Sequence, residues 1–272
     1  MPDKIAGKIK KSAENFLRNP LFFLARQIYR ILFVFPYEII VSVIYFFTSN
    51  PKLNVKKPAS HCFLITSVIY SKENKKVSYG GARSIFTPDE RIQQTAHTIA
   101  TIRQKAPQAK VVLVEAGLRN LPDDLKEKAD QYLYLGDKKL VRWACDSTFK
   151  SLGETSMLLY TLKYLKQEAD FYFKISGRYF LSDEFDLNSW SDGGFVLYFI
   201  QDDYISTRLY GFRKEMLKTW KYALIKGLPF SFIGYAIENT LARFVPAKFT
   251  RRISKLGVTG LSATVKNDII KE

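Results

Sequence analysis

The feature that most constrains the fold is an alternation, from Cys62 onward, of short apolar runs with segments of helical periodicity. Four predicted strands lie at residues 62–70, 109–117, 131–137 and 170–181, the last with a turn at Ser176-Gly177. Strands that alternate with helices in this way predict a mostly parallel α/β sheet flanked by helices. Ligands of such sheets bind beyond the carboxyl ends of the strands.

The start of the first helix after the first strand is also encoded locally. Thr87 precedes Pro88, and Glu90 follows three residues after Thr87. This spacing predicts a capping box with proline in the first turn. Further helices are predicted at 151–167 and 235–245, and a fifth strand at 195–201.

An apolar run at residues 31–48 precedes the alternating region. Three structures fit it. It could form a helix in the membrane interface, with Arg26 and Arg30 reaching lipid head groups. It could instead form a single span or a re-entrant hairpin bent at Pro36. The third alternative is a buried helix of a soluble fold. Membrane contact is the favoured interpretation.

The charge balance agrees with a membrane-facing protein. The chain has 42 Lys and Arg against 26 Asp and Glu, a net charge of +16 that attracts lipid head groups, nucleotide diphosphates or nucleic acid. No nucleic-acid recognition motif occurs, so nucleic acid is not an expected partner.

We predict a membrane-associating arm and linker at 1–58 and one α/β domain at 59–272. Two cysteines, two histidines and no glycosylation sequon favour the cytoplasmic side of a membrane, with peripheral or single-span attachment.

The fourth predicted strand runs into the block Lys174-Ile-Ser-Gly-Arg178-Tyr179, and the helix before it opens with Lys150-Ser-Leu-Gly-Glu154. With the element order over residues 63–238, this block resembles GT-A-type glycosyltransferases. It resembles more closely a set of polysaccharide-biosynthesis proteins with a Lys-x-Ser-Gly-Arg-Tyr block. The resemblance implies a GT-A-like fold, a nucleotide-sugar donor and a glycan or glycolipid acceptor. In GT-A enzymes this strand normally ends in an Asp-x-Asp motif that holds a divalent metal against the diphosphate.

The absence of Asp-x-Asp leads to the main chemical hypothesis. A leaving diphosphate needs its charge neutralised, which fixed Arg and Lys side chains do as well as a metal. We expect Arg178, with Lys174, to replace the metal, so that no cofactor is required; a divalent metal is the alternative. The structural alternative is that Lys174 and Arg178 only neutralise nearby carboxylates such as Asp183 and Glu184.

Residues expected to contact the donor end predicted strands or follow them in loops. They are Thr66, Arg83, Glu115, Ser176, Gly177, Tyr179 and Arg208. Gly177 would let the backbone approach a phosphate, Glu115 would accept hydrogen bonds from a base or ribose, and Arg208 would meet phosphate or acceptor. Arg91 and Gln94 lie on the next helix. A plain surface position is an equal alternative for Arg83, Glu115, Arg91 and Gln94.

Glu238 is the expected general base. An inverting transfer needs a carboxylate to take the proton of the acceptor hydroxyl, and Glu238 resembles the acidic residue that opens the acceptor-side helix of GT-A enzymes. An equal alternative is that Glu238 only stabilises the helix dipole. Asp202-Asp203 looks like a metal pair, but adjacent strand residues point to opposite faces, so no metal ligand is predicted there.

Other enzyme classes lack their signatures in this chain. Gly80-Gly81 lies ten residues past the first strand without P-loop spacing, and no G-x-G-x-x-G follows a strand. The expected function is therefore transfer of a sugar from a nucleotide sugar to a lipid-linked or cell-surface glycan acceptor. The alternative is a non-catalytic basic peripheral membrane protein that binds anionic lipid or polymer.

Overall fold

The computed structural model describes residues 20–49, 51, 58–72, 84–165, 169–190, 192–261 and 269–272. Contacts divide the chain into two compact units, Met1–Thr48 and Ser49–Glu272. Arg83 and the pair Gly80-Gly81 lie outside the described residues.

The first unit contains a continuous helical segment. It consists of α1 (Pro20–Tyr29), a π-helical turn (Arg30–Val34) and α2 (Phe35–Thr48). The π-helical turn comes just before Pro36, a residue that cannot donate the usual backbone hydrogen bond. The helix continues through Pro36, so the hairpin expected as one alternative does not form.

This helix is long and apolar enough to cross a membrane. Over Phe23–Thr48 the mean hydropathy reaches 2.0 and only 11% of the apolar window is buried. Leu21, Phe46 and Phe47 are among the exposed side chains. The exposure disagrees with the alternative of a buried helix in a soluble fold. Length and composition alone support the span.

The second unit is an α/β domain. Its described strands are β1 (His61–Ser67), β2 (Lys110–Glu115), β3 (Gln131–Tyr134), β4 (Phe171–Ser176), β5 (Tyr179–Leu181), β6 (Phe195–Gln201), β7 (Tyr204–Ile205), β8 (Leu209–Arg213), β9 (Thr250–Ile253), β10 (Val258–Leu261) and β11 (Ile269–Lys271). Its described helices are α3 (Pro88–Lys105), α4 (Asp123–Lys126), α5 (Lys139–Asp146), α6 (Lys150–Thr161), α7 (Leu217–Ser231) and α8 (Ile237–Phe244). Short 3-10 turns occupy Leu187–Trp190, Lys214–Met216 and Ala247–Phe249.

The main sheet has the order β3-β2-β1-β4-β8-β6-β7, and β9 pairs with β6. Strands β3, β2, β1 and β4 are mutually parallel, while β8 runs antiparallel to β4. The predicted, mostly parallel sheet flanked by helices is confirmed. The register aligns Thr66 with Ser176 and Ser67 with Glu115, so the carboxyl ends of β1, β2 and β4 meet at one edge.

The predicted fourth strand is two strands in two sheets. β4 ends at Ser176, and after Gly177-Arg178 the chain enters β5, which pairs with β10 in a separate three-stranded sheet with β11. The turn itself was predicted, but β7, β9, β10, β11 and helix α5 were not. Gly177 and Arg178 therefore lie at the junction of the two sheets.

Helices pack on both faces of the main sheet. On one face, Phe63 of β1 stacks on Phe173 of β4 at 4.4 Å, and Ile99 and Ile102 of α3 join the same cluster. On the other, Leu64 of β1 packs in a cluster with residues of α6 and α7. Alternation along β4 places Lys174 on the opposite face from Phe173, toward α6.

The predicted start of α3 is confirmed. Thr87 Oγ1 accepts a hydrogen bond from the Glu90 backbone N–H, and the Glu90 carboxylate accepts one from the Thr87 backbone N–H at 2.7 Å. Pro88 occupies the first turn. The capping box fixes where α3 begins, and Arg91 follows in that first turn.

Candidate functional site

A cleft lies at the edge where β1, β2 and β4 end. It has two adjoining parts. The first, of about 130 Å³, is lined by Thr66, Ser84, Arg91, Arg178 and neighbouring residues, and we call it the arginine pocket. The second, of about 440 Å³, is lined by Tyr179, Thr207, Arg208, Glu238 and neighbouring residues, and we call it the glutamate pocket. Both are lined by Lys150, Glu154, Ser176 and Arg178.

Two arginines approach each other in the arginine pocket. Burial, followed by the positive charge of Arg178, lowers the pKa of Arg91 to about 9. Arg91 donates to Gln94 Oε1 at 3.1 Å. Arg178 Nη1 is buried and has no hydrogen-bond partner within the described part of the chain. Two cations held together, one with an unused donor, form a site that favours an anion.

Glu115 lies beneath this pocket and is fully buried. Its carboxylate accepts hydrogen bonds from Ser67 Oγ at 2.5 Å and from the backbone N–H groups of Ile69 at 3.0 Å and Gly117 at 2.5 Å. Burial raises the pKa of Glu115, and these hydrogen bonds act in the opposite direction. Contrary to the expectation that it meets a base or ribose, its carboxylate ties the loops after β1 and β2 together.

Gly177 also differs from its expected use. Its N–H donates to the Thr66 carbonyl at 2.9 Å, and its carbonyl accepts from Thr95 Oγ1 of α3 at 2.9 Å. A Cβ at this position would lie 3.0 Å from Thr95 Oγ1 and 3.3 Å from Ile65 Cγ2. The missing side chain lets α3 approach the end of β4, and the backbone here binds protein rather than phosphate.

Lys174 is completely buried between β4, α6 and the segment before β8. Its ammonium donates to Glu154 Oε1, to Ser176 Oγ at 3.0 Å and to the Thr207 carbonyl at 2.8 Å. All three donors are thereby used within the protein. This corrects the expectation that Lys174 reaches a diphosphate beside Arg178, since the ammonium has no donor left for one.

Glu238 opens α8 and lines the glutamate pocket. Its Oε1 accepts a hydrogen bond from Thr207 Oγ1 at 2.8 Å. Burial, followed by the negative charge of Glu154, raises the pKa of Glu238, while Thr207 and the positive charge of Lys174 act in the opposite direction. A carboxylate in a cleft wall with a raised pKa has the properties of a general base.

Tyr179 and Arg208 close the other side of the glutamate pocket. The guanidinium groups of Arg178 and Arg208 lie 5.4 Å and 5.5 Å from the centre of the buried Tyr179 ring. Arg208 also pairs with Glu272, whose other carboxylate oxygen accepts from Ser206 Oγ at 2.6 Å. Arg208 therefore lines the cleft with its charge already balanced by a carboxylate.

The structural alternative holds for Lys174, which neutralises the nearby carboxylate of Glu154. The two carboxylates named as examples, Asp183 and Glu184, pair with other residues. Asp183 pairs with Lys105 at 2.6 Å, and Glu184 pairs with Lys255 at 3.1 Å. Asp202 lies near Arg252 in the exposed turn after β6, at 3.9 Å. Among the described residues there is no group of three or more His, Cys, Asp or Glu side chains placed to hold a metal ion.

The sequence analysis missed one residue of the cleft, Glu154, and did not decide between two positions for another, Arg91. Glu154 was noted only as part of the helix opening, and it lies at the junction of both pockets. Arg91 had an equal surface alternative, yet it is buried. A signal existed for Glu154, since Lys150 and Glu154 share one face of α6 four residues apart.

Comparisons with known proteins give the following. No protein-family model and no curated protein matches the chain. Among solved structures, it is similar to a glycosyltransferase involved in the glycosylation of the major capsid of PBCV-1, with a TM-score of 0.40, 8% identity, and coverage of 71% of this chain and 81% of that chain. It is also similar to the galactosyltransferase LgtC in complex with donor and acceptor sugar analogs, with a TM-score of 0.40, 8% identity, and coverage of 70% and 72%. Likeness at this level leaves the function to be argued from the cleft itself.

Proposed function

We propose that this chain is a glycosyltransferase that moves a sugar from a nucleotide-sugar donor to a lipid-linked or cell-surface glycan acceptor. The observation that carries the proposal is the pair of arginines, Arg91 and Arg178, at the carboxyl edge of a parallel sheet. Their mutual repulsion and the unused Arg178 donor favour a bound anion. The diphosphate of a nucleotide sugar is such an anion, and the neighbouring glutamate pocket supplies space and a carboxylate for an acceptor hydroxyl.

In this proposal the donor's diphosphate binds in the arginine pocket. Arg178 offers a planar fork of N–H donors to phosphate oxygens, and Arg91 adds a second positive charge. Both charges are present before the reaction, so they need no reorganisation when the leaving group gains negative charge. The transferred sugar then lies near Glu154 and Ser176, which line both pockets.

The transfer step uses Glu238. Its carboxylate takes the proton of an acceptor hydroxyl, and the hydroxyl oxygen forms a bond to the anomeric carbon of the sugar. The bond from that carbon to the diphosphate breaks, and the nucleoside diphosphate leaves with the electron pair, stabilised by Arg178 and Arg91. A single displacement of this kind inverts the anomeric configuration.

Lys174 has a positioning role in this mechanism. Its ammonium binds Glu154 and the Thr207 carbonyl, while Thr207 Oγ1 donates to Glu238. The lysine thereby connects two carboxylates of the cleft and orients the residue that holds the base. Its positive charge also limits how far the pKa of Glu238 rises.

A divalent metal does not fit the end of β4. The side chains that stand where GT-A enzymes carry Asp-x-Asp are those of Lys174, Ser176 and Arg178, and two of these are cationic. A metal ion there would meet two cationic side chains, and the carboxylate beside them, that of Glu154, is already paired with Lys174. We therefore assign neutralisation of the diphosphate to the two arginines and route no step through a metal.

Membrane attachment fits a lipid-linked or cell-surface acceptor. The helix at Phe23–Thr48 would keep the catalytic domain beside a bilayer. The net charge of +16 adds attraction to anionic lipids.

A thermal-shift panel tests the proposal. The full-length chain is melted with nucleoside diphosphates, nucleotide sugars and pyrophosphate, in EDTA and separately in manganese. Stabilisation by one nucleotide series that persists in EDTA is the expected result, and the base preference names the donor class. Stabilisation only with manganese would contradict the assignment to the arginines. No stabilisation by any nucleotide would overturn the transferase proposal and favour a lipid-binding or polymer-binding protein.

A further inference from the structure

Three large apolar side chains that line neither pocket of the cleft are exposed together on the α/β domain. Leu140 and Trp143 on α5 are 69% and 57% exposed, and Phe232, which directly follows α7, is 40% exposed. The rings of Trp143 and Phe232 are in contact, with centroids 5.9 Å apart. We call these three residues the Trp143 patch. Exposed apolar side chains that cluster in this way mark a contact surface.

The helices that form this side of the domain are basic. Helices α5, α6 and α7 carry six Lys and Arg residues and two acidic residues. Both acidic residues are already paired, Asp146 with Arg142 and Glu154 with Lys174. Lys139 is exposed and directly precedes Leu140. A partner that meets the Trp143 patch therefore also meets the positive charge of Lys139.

A surface that enters the interface of an anionic bilayer typically combines tryptophan and leucine with lysine. Indole rings settle at the level of the head groups, apolar chains reach the acyl boundary, and ammonium groups bind lipid phosphates. We propose that the Trp143 patch docks the catalytic domain on an anionic lipid surface. The inference rests on the proposed membrane attachment and adds a second contact, made by the domain itself.

The tryptophans of the chain make the test direct. Trp190 and Trp220 are buried, whereas Trp143 is exposed. The full-length chain is reconstituted into vesicles of phosphatidylcholine with and without phosphatidylglycerol, each prepared with lipids brominated on the acyl chains. Bromine quenches only tryptophans that lie close to the acyl region. We expect quenching with phosphatidylglycerol and less of it without, and we expect Trp143→Phe to remove it.

A charge variant and a flotation assay separate the outcomes. Lys139→Glu should reduce the quenching of Trp143, with circular dichroism confirming the fold. Unquenched tryptophan in a chain that co-floats with the vesicles would overturn the inference and leave membrane attachment standing. Failure to co-float would overturn both, while nucleotide binding is measured independently by thermal shift. Trp143 emission that shifts to the blue with protein concentration in detergent would assign the patch to a second copy and also overturn the proposal.

Discussion

Lys174 of β4 and Glu154 of α6 form an ion pair at the base of the cleft. The lysine side chain is completely buried, and the glutamate side chain is 25% exposed, toward the cleft. The pair fastens the sheet to the helix that lines both pockets. Its geometry therefore determines where Ser176 and Arg178 stand as the chain leaves β4.

Replacing Lys174 should destabilise the domain strongly. Lys174→Met leaves the Glu154 carboxylate without its counter-charge and the Thr207 carbonyl without its donor. Breaking a buried pair from one side costs about 3 kcal/mol. Urea unfolding should show this loss, and Lys174→Met combined with Glu154→Gln should recover part of it.

The matched control for that variant is Lys214→Met. Lys214 pairs with Asp170 at 2.5 Å, but its side chain is 41% exposed, whereas that of Lys174 is completely buried. Exposed pairs contribute little because water already solvates the separated charges. Equal losses in the two lysine variants would contradict a special role for the Lys174 network.

The arginine pocket should bind pyrophosphate through both guanidinium groups. Arg178→Met and Arg91→Met should each weaken pyrophosphate binding at least about tenfold, because each removes a charge-assisted hydrogen bond to the anion. Arg178→Lys should bind with intermediate affinity, since an ammonium keeps the charge without the planar fork. Isothermal titration calorimetry in EDTA measures these affinities.

Arg103→Met is the control for the arginine pocket. Arg103 lies near the end of α3, far along the helix from Arg91, and it pairs with Asp130 at 2.9 Å. Removing it lowers the net charge of the chain by the same amount. If Arg103→Met weakened pyrophosphate binding as much as Arg91→Met did, the anion would be responding to overall charge rather than to the pocket.

The parts of the fold that were predicted correctly depend on neighbours in sequence. The capping box of α3 needs only Thr87 and Glu90, three residues apart, and apolar runs predict the buried strands β1, β2 and β4. Strand β5 pairs with β10, so that Leu181 faces Val258 across a long stretch of chain. No local pattern carries that pairing, which is why one strand was predicted where β4 and β5 both occur.

The site residues likewise divide into those placed by local sequence and those placed by contacts between distant segments. Arg178 and Glu238 were predicted at the cleft because each follows or opens an element whose position was predicted. The partners of Lys174 come from α6 and from the segment before β8, and its place on the α6 face follows from alternation with Phe173. Its charge suggested phosphate binding, whereas the buried carboxylate of Glu154 uses that charge inside the protein.

Glu115 should matter for stability and for the shape of the arginine pocket. Glu115→Ala leaves the buried N–H groups of Ile69 and Gly117 without acceptors, at about 1–3 kcal/mol for each. Glu115→Gln keeps one acceptor oxygen and should cost less. Chemical denaturation measures both variants. A nucleotide affinity lost in Glu115→Gln with no loss of stability would instead indicate direct contact with the donor.

Glu238→Gln should strongly reduce turnover while nucleotide binding persists. Loss of a general base lowers kcat by about 10²–10⁴-fold. In the parent protein, activity should rise with pH through the raised pKa of Glu238, because the carboxylate must be deprotonated to accept a proton. The residual activity of Glu238→Gln should lack this dependence. If the variant lost activity at low pH in the same way as the parent, that loss would belong to another titrating group.

The same substitution should also change stability in a direction that depends on pH. Burial, followed by the charge of Glu154, raises the folded-state pKa of Glu238 above its unfolded value. The protonated carboxyl therefore makes its full contribution to stability below the pKa that Glu238 has in the unfolded state. That contribution is lost as the pH rises through the pKa that Glu238 has in the folded state. Glu238→Gln should be more stable than the parent at about pH 8, and the gain should shrink toward about pH 5. Urea unfolding at both pH values measures it, with Glu184→Gln at the exposed Lys255 pair as the control. A parent protein that is the more stable of the two near pH 8 would show that the Glu238 charge is favourable in the fold, and such a carboxylate would be a poor general base.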